Sequence, residues 1–301
     1  MSIRPVKRII PAKPTLEGAG VRLQRAFGFG DTTEFDPFLL FDDFRNDNPS
    51  DYLAGFPWHP HRGIETITYV LAGTVEHADS LGNRGSLGAG DVQWMTAGSG
   101  IVHQEMPQGD QQGRMHGFQL WANLPSTLKM TKPRYQDVSG ADVPEVTDDD
   151  GTRVRVVCGS FWGATGPVDG VAANPRYLDV SVPPGRHKSL AVETTRHAFA
   201  YVFGGSGIFR NASQPRTVAT EAVGGSAVSL ADEIGNRSLV LFDSGDEVVV
   251  QAGDSGIRFL LVSGTPIEEP VAWYGPIVMN TQAELQQAFD EIRAGTFIKQ
   301  R

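Results

Sequence analysis

The sequence predicts an all-β protein made of two barrels packed together, with one short helix near the C-terminus. Short runs rich in Val, Ile, Thr, Tyr and Phe are separated by Gly, Asp and Asn, a pattern typical of sandwiches and barrels. The 301 residues include 35 Gly and 19 Pro, and this turn-rich composition favours short strands over long helices. A chain of this length is expected to divide into two domains, each with its own apolar core.

The first domain is predicted to cover residues 1–138. Its clearest segment is ETITYVLAGTVEHADSLGNRG, in which Thr66, Thr68 and Val70 alternate with Ile67 and Tyr69. Alternation with a period of two places the two sets on opposite faces of a strand. A second short strand and a Gly-Asn turn follow, which predicts antiparallel strands joined by a tight connection.

The second domain is predicted to cover residues 150–301, because the segment YQDVSGADVPEVTDDDG before it is polar, acidic and without apolar periodicity. Strand-like runs such as RYLDVSVPPG and IRFLLVSG then resume. The helix is predicted from a capping box formed by Thr281 and Glu284 and an end at Gly295. Its apolar face would consist of Leu285, Phe289 and Ile292.

Charge and composition restrict the partners and the location. With 26 Lys and Arg against 35 Asp and Glu, the net charge is −9, which argues against direct binding to nucleic acid. No apolar stretch reaches the roughly 18 residues of a membrane span, and no targeting segment is recognisable at the start. The single cysteine, Cys158, is expected to be a buried strand residue. We therefore expect a cytoplasmic protein, and a monomer.

Two short motifs carry candidate metal ligands. His59 and His61 lie two residues apart in GFPWHPHRGIETITYVLAG, and a strand would point both imidazoles to the same side. His103 and Glu105 repeat the spacing in GDVQWMTAGSGIVHQEMP. We expect a second strand that crosses the first inside a barrel to bring this pair to the same ion.

Three imidazoles and one carboxylate suit one divalent transition metal, with Fe, Zn, Cu, Ni, Mn and Co all compatible with these ligands. Such a site leaves coordination positions open for a substrate or dioxygen, unlike a closed structural zinc site. No cysteine lies near either motif, which excludes a thiolate site. The ligand set alone does not identify the metal.

These motifs resemble the two conserved blocks of the cupin superfamily, whose barrels are jelly-roll-like double-stranded β-helices. In a general cupin, Glu65 would be the fourth ligand. Thr96 in place of the usual Pro, and Glu105 close behind His103, depart from that pattern and resemble the pirin family. HGFQLWANLP and EPVAWYGPIVMNT are also similar to pirin blocks, so the resemblance extends from residue 59 to residue 281.

The resemblance implies a bicupin whose first barrel holds the metal on His59, His61, His103 and Glu105. Glu65 would then support the strand or orient a ligand. The resemblance further implies quercetin 2,3-dioxygenase activity, the opening of a flavonol-type ring, with iron as the metal that we expect. Glu105 would be the catalytic base, and the residues expected to line the substrate pocket are Asp42, Phe56 and Gln119.

Two other functions remain open at this point. The first is a regulatory protein that binds a transcription factor or a metabolic enzyme according to the redox state of its metal. The second is a small-molecule isomerase or storage cupin without redox chemistry. The fold alone does not choose among them, because one fold hosts many activities.

The remaining histidines are weaker candidates. His77 lies beside Asp79 at a predicted strand end, where a solvated or hydrogen-bonded role is expected. His116 is predicted to face away from Gln119, and therefore away from the barrel interior. The second-domain residues His187 and His197 have no His-x-His partner, so the second barrel is expected to lack metal ligands.

Overall fold

The computed structural model describes residues 2–210 and 233–299, and it confirms an all-β protein of two domains with one short C-terminal helix. Within these ranges, no helix combines the length and the apolar character that a membrane span requires. Strand β1 (Val6–Pro11) comes first, and among the described residues one short α-helix, α1 (Thr32–Phe35), and two 3-10 turns, Pro49–Asp51 and Ser126–Leu128, lie between the strands that follow.

Short antiparallel strands build the first barrel. They are β2 (Lys13–Glu17), β3 (Val21–Phe27), β4 (Phe38–Asp43), β5 (Phe56–His61), β6 (Ile64–Ala72), β7 (Thr74–Asp79), β8 (Arg84–Leu87), β9 (Val92–Thr96), β10 (Ile101–Gln108), β11 (His116–Asn123) and β12 (Arg134–Val138).

These strands form two sheets that face each other. One sheet has the strand order β12-β9-β6-β11-β4-β3-β2 and the other has the order β5-β10-β7-β8. The predicted alternation in β6 explains the arrangement: Ile67 and Tyr69 pack in a large apolar core together with second-domain residues, whereas Thr68 points inward and contacts Glu105 of the opposite sheet. The inside of the first barrel is therefore partly polar, which a binding cavity requires.

The second barrel continues with β13 (Glu145–Thr147), β14 (Arg153–Cys158), β15 (Ser160–Phe161), β16 (Ala164–Thr165), β17 (Arg176–Val182), β18 (His187–Ala191), β19 (His197–Phe209), β20 (Ile234–Gly235), β21 (Ser238–Phe242) and β22 (Glu247–Gly264). Its main sheet has the order β1-β21-β19-β22-β17-β14-β13. Buried Val, Leu, Ile and Phe side chains fill this domain, for example Val180, Val202 and Phe259.

The two ends of the chain cross between the barrels. Strand β1 pairs with β21 of the second barrel, although it precedes the first. The hairpin of β23 (Ala272–Tyr274) and β24 (Ile277–Met279) packs against the first barrel, where Val278 joins a core cluster with Ile64 and Met95. The sheets therefore do not follow the predicted limits 1–138 and 150–301 at the chain ends.

The C-terminal helix α2 (Gln282–Arg293) begins and ends as its sequence predicts. The Thr281 hydroxyl accepts a hydrogen bond from the Glu284 backbone amide, and the Glu284 carboxylate accepts one from the Thr281 amide. After the helix, Gly295 adopts a φ of 69°, a left-handed conformation that glycine adopts without steric cost.

Cys158 is buried in the core between the two barrels, as predicted. Burial raises the pKa of its thiol to about 12, so the thiolate is not populated near neutral pH. The neighbouring barrels are also joined by hydroxyl–carboxylate contacts: Tyr69 donates to Asp179 at 2.9 Å and Tyr201 donates to Asp43 at 2.8 Å. The second barrel therefore packs against the sheet of the first barrel that contains Asp43 and Tyr69.

Candidate metal centre

Adjacent antiparallel strands, rather than crossing strands, bring the two ligand motifs together. Strand β10 pairs with β5, and His103 lies directly opposite His59 in this register. His61 follows two residues later on the same face of β5. The expectation that the two strands cross was wrong, whereas the expectation that His59 and His61 lie on one face of their strand is confirmed.

The three imidazoles form a compact group. Their candidate ligand nitrogens all lie within 4.8 Å of one another. The ring centroids of His59 and His103 are 4.4 Å apart, and the centroid of His61 lies 4.9 Å and 5.0 Å from theirs. Within the described part of the chain, no other group of three or more such side chains meets this spacing.

The electrostatics favour metal binding. Burial lowers the pKa of His61 and His103 well below the ordinary value, and the neighbouring imidazoles lower it further, so both rings are neutral. Neutral imidazole is the form that coordinates a metal. Both ring nitrogens of His103 are buried without a hydrogen-bond partner among the described residues, which is costly unless an ion engages one of them. The residues therefore fit a metal ion.

Backbone carbonyls hold two of the rings in place. Nδ1 of His61 lies 3.2 Å from the carbonyl oxygen of Pro276, and Nδ1 of His59 lies 2.8 Å from that of Pro57. A carbonyl only accepts, so each Nδ1 carries the proton and each Nε2 is left for an ion. Trp121 packs edge-on against His61, with ring centroids 5.0 Å apart.

Glu105 lies beside the imidazole group rather than inside it. It follows His103 on the same face of β10, and both it and His59 line the same cavity. Its pairing with β5 is interrupted by a register shift after His103, and its Oε1 lies 3.2 Å from the Thr68 hydroxyl on the opposite sheet. Burial raises the pKa of Glu105, while His59 and Thr68 act in the opposite direction.

A buried arginine between the ligand motifs was missed by sequence reasoning. Arg62 follows His61 and is 1% exposed. It donates to the carbonyl oxygens of Ser99 and Phe297 and pairs with Glu291 at 2.7 Å. The signal in the sequence was its place next to a ligand, but its partners are up to 235 residues away.

Lys129 holds Gly63, the residue after Arg62, through a hydrogen bond. Its Nζ donates to the Gly63 carbonyl at 2.8 Å and to the Asn123 side chain at 2.5 Å, and burial lowers its pKa to about 7. Gly63 has a φ of 77°, and a Cβ there would lie 1.9 Å from the carbonyl oxygen of Val278. The close approach of the C-terminal hairpin therefore requires glycine.

A cavity of about 690 Å³ opens beside the imidazoles. The residues expected to line a substrate pocket, Asp42, Phe56 and Gln119, all lie on its wall, together with His59, His61 and Glu105. Most of the wall is apolar, and the aromatic side chains that contribute are Phe29, Phe44, Tyr52, Phe56, Trp121, Trp273 and Tyr274. The last two come from the C-terminal hairpin, so both ends of the chain contribute to the site.

Of the two neighbouring residues Glu65 and His77, Glu65 takes the strand-supporting role that was one of its two expected roles, whereas the expectation for His77 needs correction. Glu65 is hydrogen bonded to Thr96 at 2.7 Å, and no hydrogen bond joins it to the four expected ligands in the described part of the chain. It therefore supports the strand pair β6–β9. His77 is not solvated: it is 7% exposed, lies within β7 rather than at its end, and pairs across the strands with Glu105.

The other histidines lie away from the site. His116 contacts the Asp47 carboxylate at 2.6 Å, and Gln119 faces the cavity. Nδ1 of His197 lies 2.6 Å from the Asp36 carbonyl oxygen, and His187 is exposed at the start of β18. Neither second-barrel histidine joins a metal-ligating group among residues 2–210 and 233–299.

Comparison with known proteins gives consistent relatives. The family model described as Pirin matches residues 20–122, and the one described as Pirin C-terminal cupin domain matches residues 177–298. A pirin-like protein from Caulobacter vibrioides is 44% identical over 299 residues, which cover 99% of this chain and 100% of that protein. A relative from Pseudomonas aeruginosa, provisionally named a quercetin 2,3-dioxygenase, is 39% identical over 97% of each chain.

A solved structure agrees with these relatives. The crystal structure of quercetin 2,3-dioxygenase from Acinetobacter baumannii aligns with a TM-score of 0.85 at 28% identity, over 98% of this chain and 99% of that one. Two packed β domains with an imidazole cluster in the first define a bicupin protein with a candidate metal centre. The chain belongs to the pirin family, as its sequence motifs predicted.

Proposed function

We propose that this protein is a metal-dependent dioxygenase that opens the ring of a flavonol-type substrate. The observation that carries the proposal is that two of the three clustered imidazoles, His59 and His61, and Glu105 line a 690 Å³ cavity to which seven aromatic side chains also contribute. Aromatic walls suit a planar aromatic ligand. The reaction consumes one O₂ per flavonol, releases one ring carbon as carbon monoxide and leaves an ester.

The proposed ligands are His59, His61, His103 and Glu105. A divalent transition metal, with iron as our first choice, would supply Lewis-acid and dioxygen chemistry to a bound hydroxyl and its neighbouring carbonyl. Zn, Cu, Ni, Mn or Co would fit the same donors. Because the set contains no thiolate, it does not favour Cu(I) or an iron–sulfur cluster.

The chain's own residues have distinct roles in this proposal. Glu105 accepts the proton of the substrate hydroxyl, and Thr68 holds the carboxylate through the contact of 3.2 Å. Trp121 keeps the His61 ring in orientation, and Trp273 packs 6.0 Å from Trp121 to extend the aromatic wall. These side chains also keep water away from the reacting ring.

Oxygen uptake with quercetin tests the proposal. Iron-loaded protein is expected to consume oxygen in proportion to flavonol loss, whereas zinc-loaded protein should consume none. His61→Ala and Glu105→Ala should abolish turnover, and the matched variant His116→Ala should not, because His116 lies outside the cavity. Unchanged turnover in both site variants would refute the mechanism.

Absence of oxygen uptake with one equivalent of metal bound would instead favour the regulatory alternative. Trp58, next to His59, is 53% exposed, so a change in the redox state of the metal would occur close to an apolar side chain on the protein surface. A partner protein would then be expected to bind one redox form in preference to the other. Any effect on DNA would be indirect, because the net charge is −9.

A further inference from the structure

The cavity contains a second polar group that the proposed chemistry does not use. Arg25 holds Asp42 through two hydrogen bonds, Nε–Oδ1 at 2.8 Å and Nη2–Oδ2 at 2.7 Å. Its third nitrogen, Nη1, contacts Glu17 at 2.9 Å. All three side chains line the same cavity as His59 and His61.

This ion group lies at the opposite side of the cavity wall from the imidazoles. Cross-strand pairing connects Arg25 to Asp42, Asp42 to Gln119, and Gln119 to Thr68, each on the next strand of the sheet. Adjacent strands are about 4.8 Å apart, so the backbone of Asp42 lies about 10 Å from that of Thr68. Because Thr68 contacts Glu105, this row of polar residues connects the metal end of the cavity, at the imidazoles, with a remote end, at Arg25 and Asp42.

Hydrogen-bonding capacity is left over at the remote end. An ionised carboxylate accepts about four hydrogen bonds, and the Asp42 carboxylate receives two, both from Arg25, among the described residues. Asp42 is 4% exposed and lines the cavity, so a ligand inside the cavity can reach its remaining lone pairs. One atom of the Gln119 side-chain amide lies 2.7 Å from the Thr68 hydroxyl, and the other amide atom has no protein partner among the described residues.

The charge of this end selects the ligand. One guanidinium against two carboxylates leaves the group of Arg25, Asp42 and Glu17 with a net charge of −1. An anionic ligand group would be repelled, whereas a neutral hydroxyl donates a hydrogen bond without the desolvation cost of a cation. Burial raises the pKa of the Asp42 carboxyl to about 6, and it remains largely ionised above pH 7.

We infer that Asp42, held by Arg25, binds hydroxyl groups at the end of the substrate remote from the metal, so that the preferred ligand is a polyhydroxylated aromatic rather than an aromatic acid. This inference rests on the proposed function for the orientation of the ligand. Asp42 is a specificity-determining residue, and Glu17 supplies part of the negative charge that disfavours acids.

Equilibrium binding to the zinc-loaded protein tests the inference without turnover. Quercetin and 3-hydroxyflavone share the hydroxyl and carbonyl of the metal end, but only quercetin has further hydroxyls on its rings. Hydrogen bonds to charged groups contribute about 1.5–3 kcal/mol, so we expect the wild type to bind quercetin at least about tenfold more tightly. Asp42→Asn should reduce this preference several-fold while leaving the affinity for 3-hydroxyflavone nearly unchanged.

Asp51→Asn is the matched control. Asp51 also pairs with an arginine of β3, Arg22, at 3.2 Å, but neither residue lines the cavity. The control should retain the full preference for quercetin. If Asp42→Asn does not fold, Glu17→Gln, at a half-exposed position, should still weaken the discrimination against a flavonol that carries a carboxylate.

The outcomes separate this inference from the proposed function. A wild type with equal affinity for both flavonols, or an Asp42→Asn variant with undiminished preference, overturns the inference even if iron-loaded protein consumes oxygen. A preference that depends on Asp42, in a protein that consumes no oxygen with iron, supports the inference and overturns the dioxygenase. Failure to bind either flavonol overturns both.

Discussion

Replacing Arg62 by methionine tests whether the C-terminal segment holds the metal centre together. Methionine has a similar length but no hydrogen-bond donor, so the change would leave the carbonyls of Ser99 and Phe297 without this donor and would remove one of the two cationic partners of Glu291. The guanidinium also packs 4.2 Å from the ring centroid of Phe297, a cation–π contact that would be lost.

The size of the effect follows from the burial of these groups. Breaking a buried ion pair by removing one partner costs about 3–5 kcal/mol. Glu291 keeps Lys299 at 2.8 Å, which places the expected loss near the lower end, at about 3 kcal/mol. The C-terminal segment that Arg62 anchors also supplies the Pro276 carbonyl, which lies 3.2 Å from Nδ1 of His61, so we also expect metal affinity to fall by about 10–100-fold, as when a group that orients a ligand is lost.

Urea denaturation of metal-free protein gives the free energy of unfolding, and competition with a chelator gives the metal affinity. Arg293→Met is the control, because Arg293 is two-thirds exposed and, among the described residues, its one ion pair is with Asp290 on the same helix. It should change the free energy of unfolding by less than about 0.5 kcal/mol. An Arg62→Met variant within about 1 kcal/mol of wild type, with unchanged metal affinity, would refute the reasoning.

Three further measurements address separate features of the site. His103→Ala should lose stoichiometric metal binding while His116→Ala keeps it, as judged by metal analysis after dialysis; equal metal content would contradict the ligand assignment. Lys129 has a folded-state pKa of about 7, below its ordinary 10.5, so the unfolded chain binds more protons between these values and stability should rise with pH there. The rise is on the order of 4 kcal/mol and should be missing in Lys129→Met, as measured by urea denaturation at pH 7 and pH 10. Gly63→Ala would force a Cβ to within 1.9 Å of the Val278 carbonyl oxygen, so it should lower the melting temperature and loosen the hairpin, detected as faster amide hydrogen exchange in residues 272–279; unchanged exchange would show that the contact is dispensable.

The ligand motifs and the C-terminal helix could be predicted from the sequence because they depend on local geometry. A spacing of two residues in a strand places His59 and His61 on one face whatever the rest of the chain does. The capping box of Thr281 and Glu284 is likewise contained within four residues. Burial of Cys158 followed from its strand of valines.

Which strands pair, and in which register, could be read only from the tertiary structure. Nothing in the period of a strand says that His103 will lie opposite His59, or that His77 will lie opposite Glu105, because register depends on packing across the whole barrel. The same limit explains Glu65, whose position after the first motif suggested a role near the ligands but whose carboxylate turns to Thr96.

The site as a whole depends on contacts between distant parts of the chain. The sequence by itself determined the strand faces, the four candidate ligands and the family, because each is encoded in short motifs. Only the folded chain brought the Pro276 carbonyl to His61, Glu291 to Arg62, and Asp42 into the same cavity as the imidazoles. These contacts join residues up to about 230 positions apart, and they form only when the chain ends cross between the barrels.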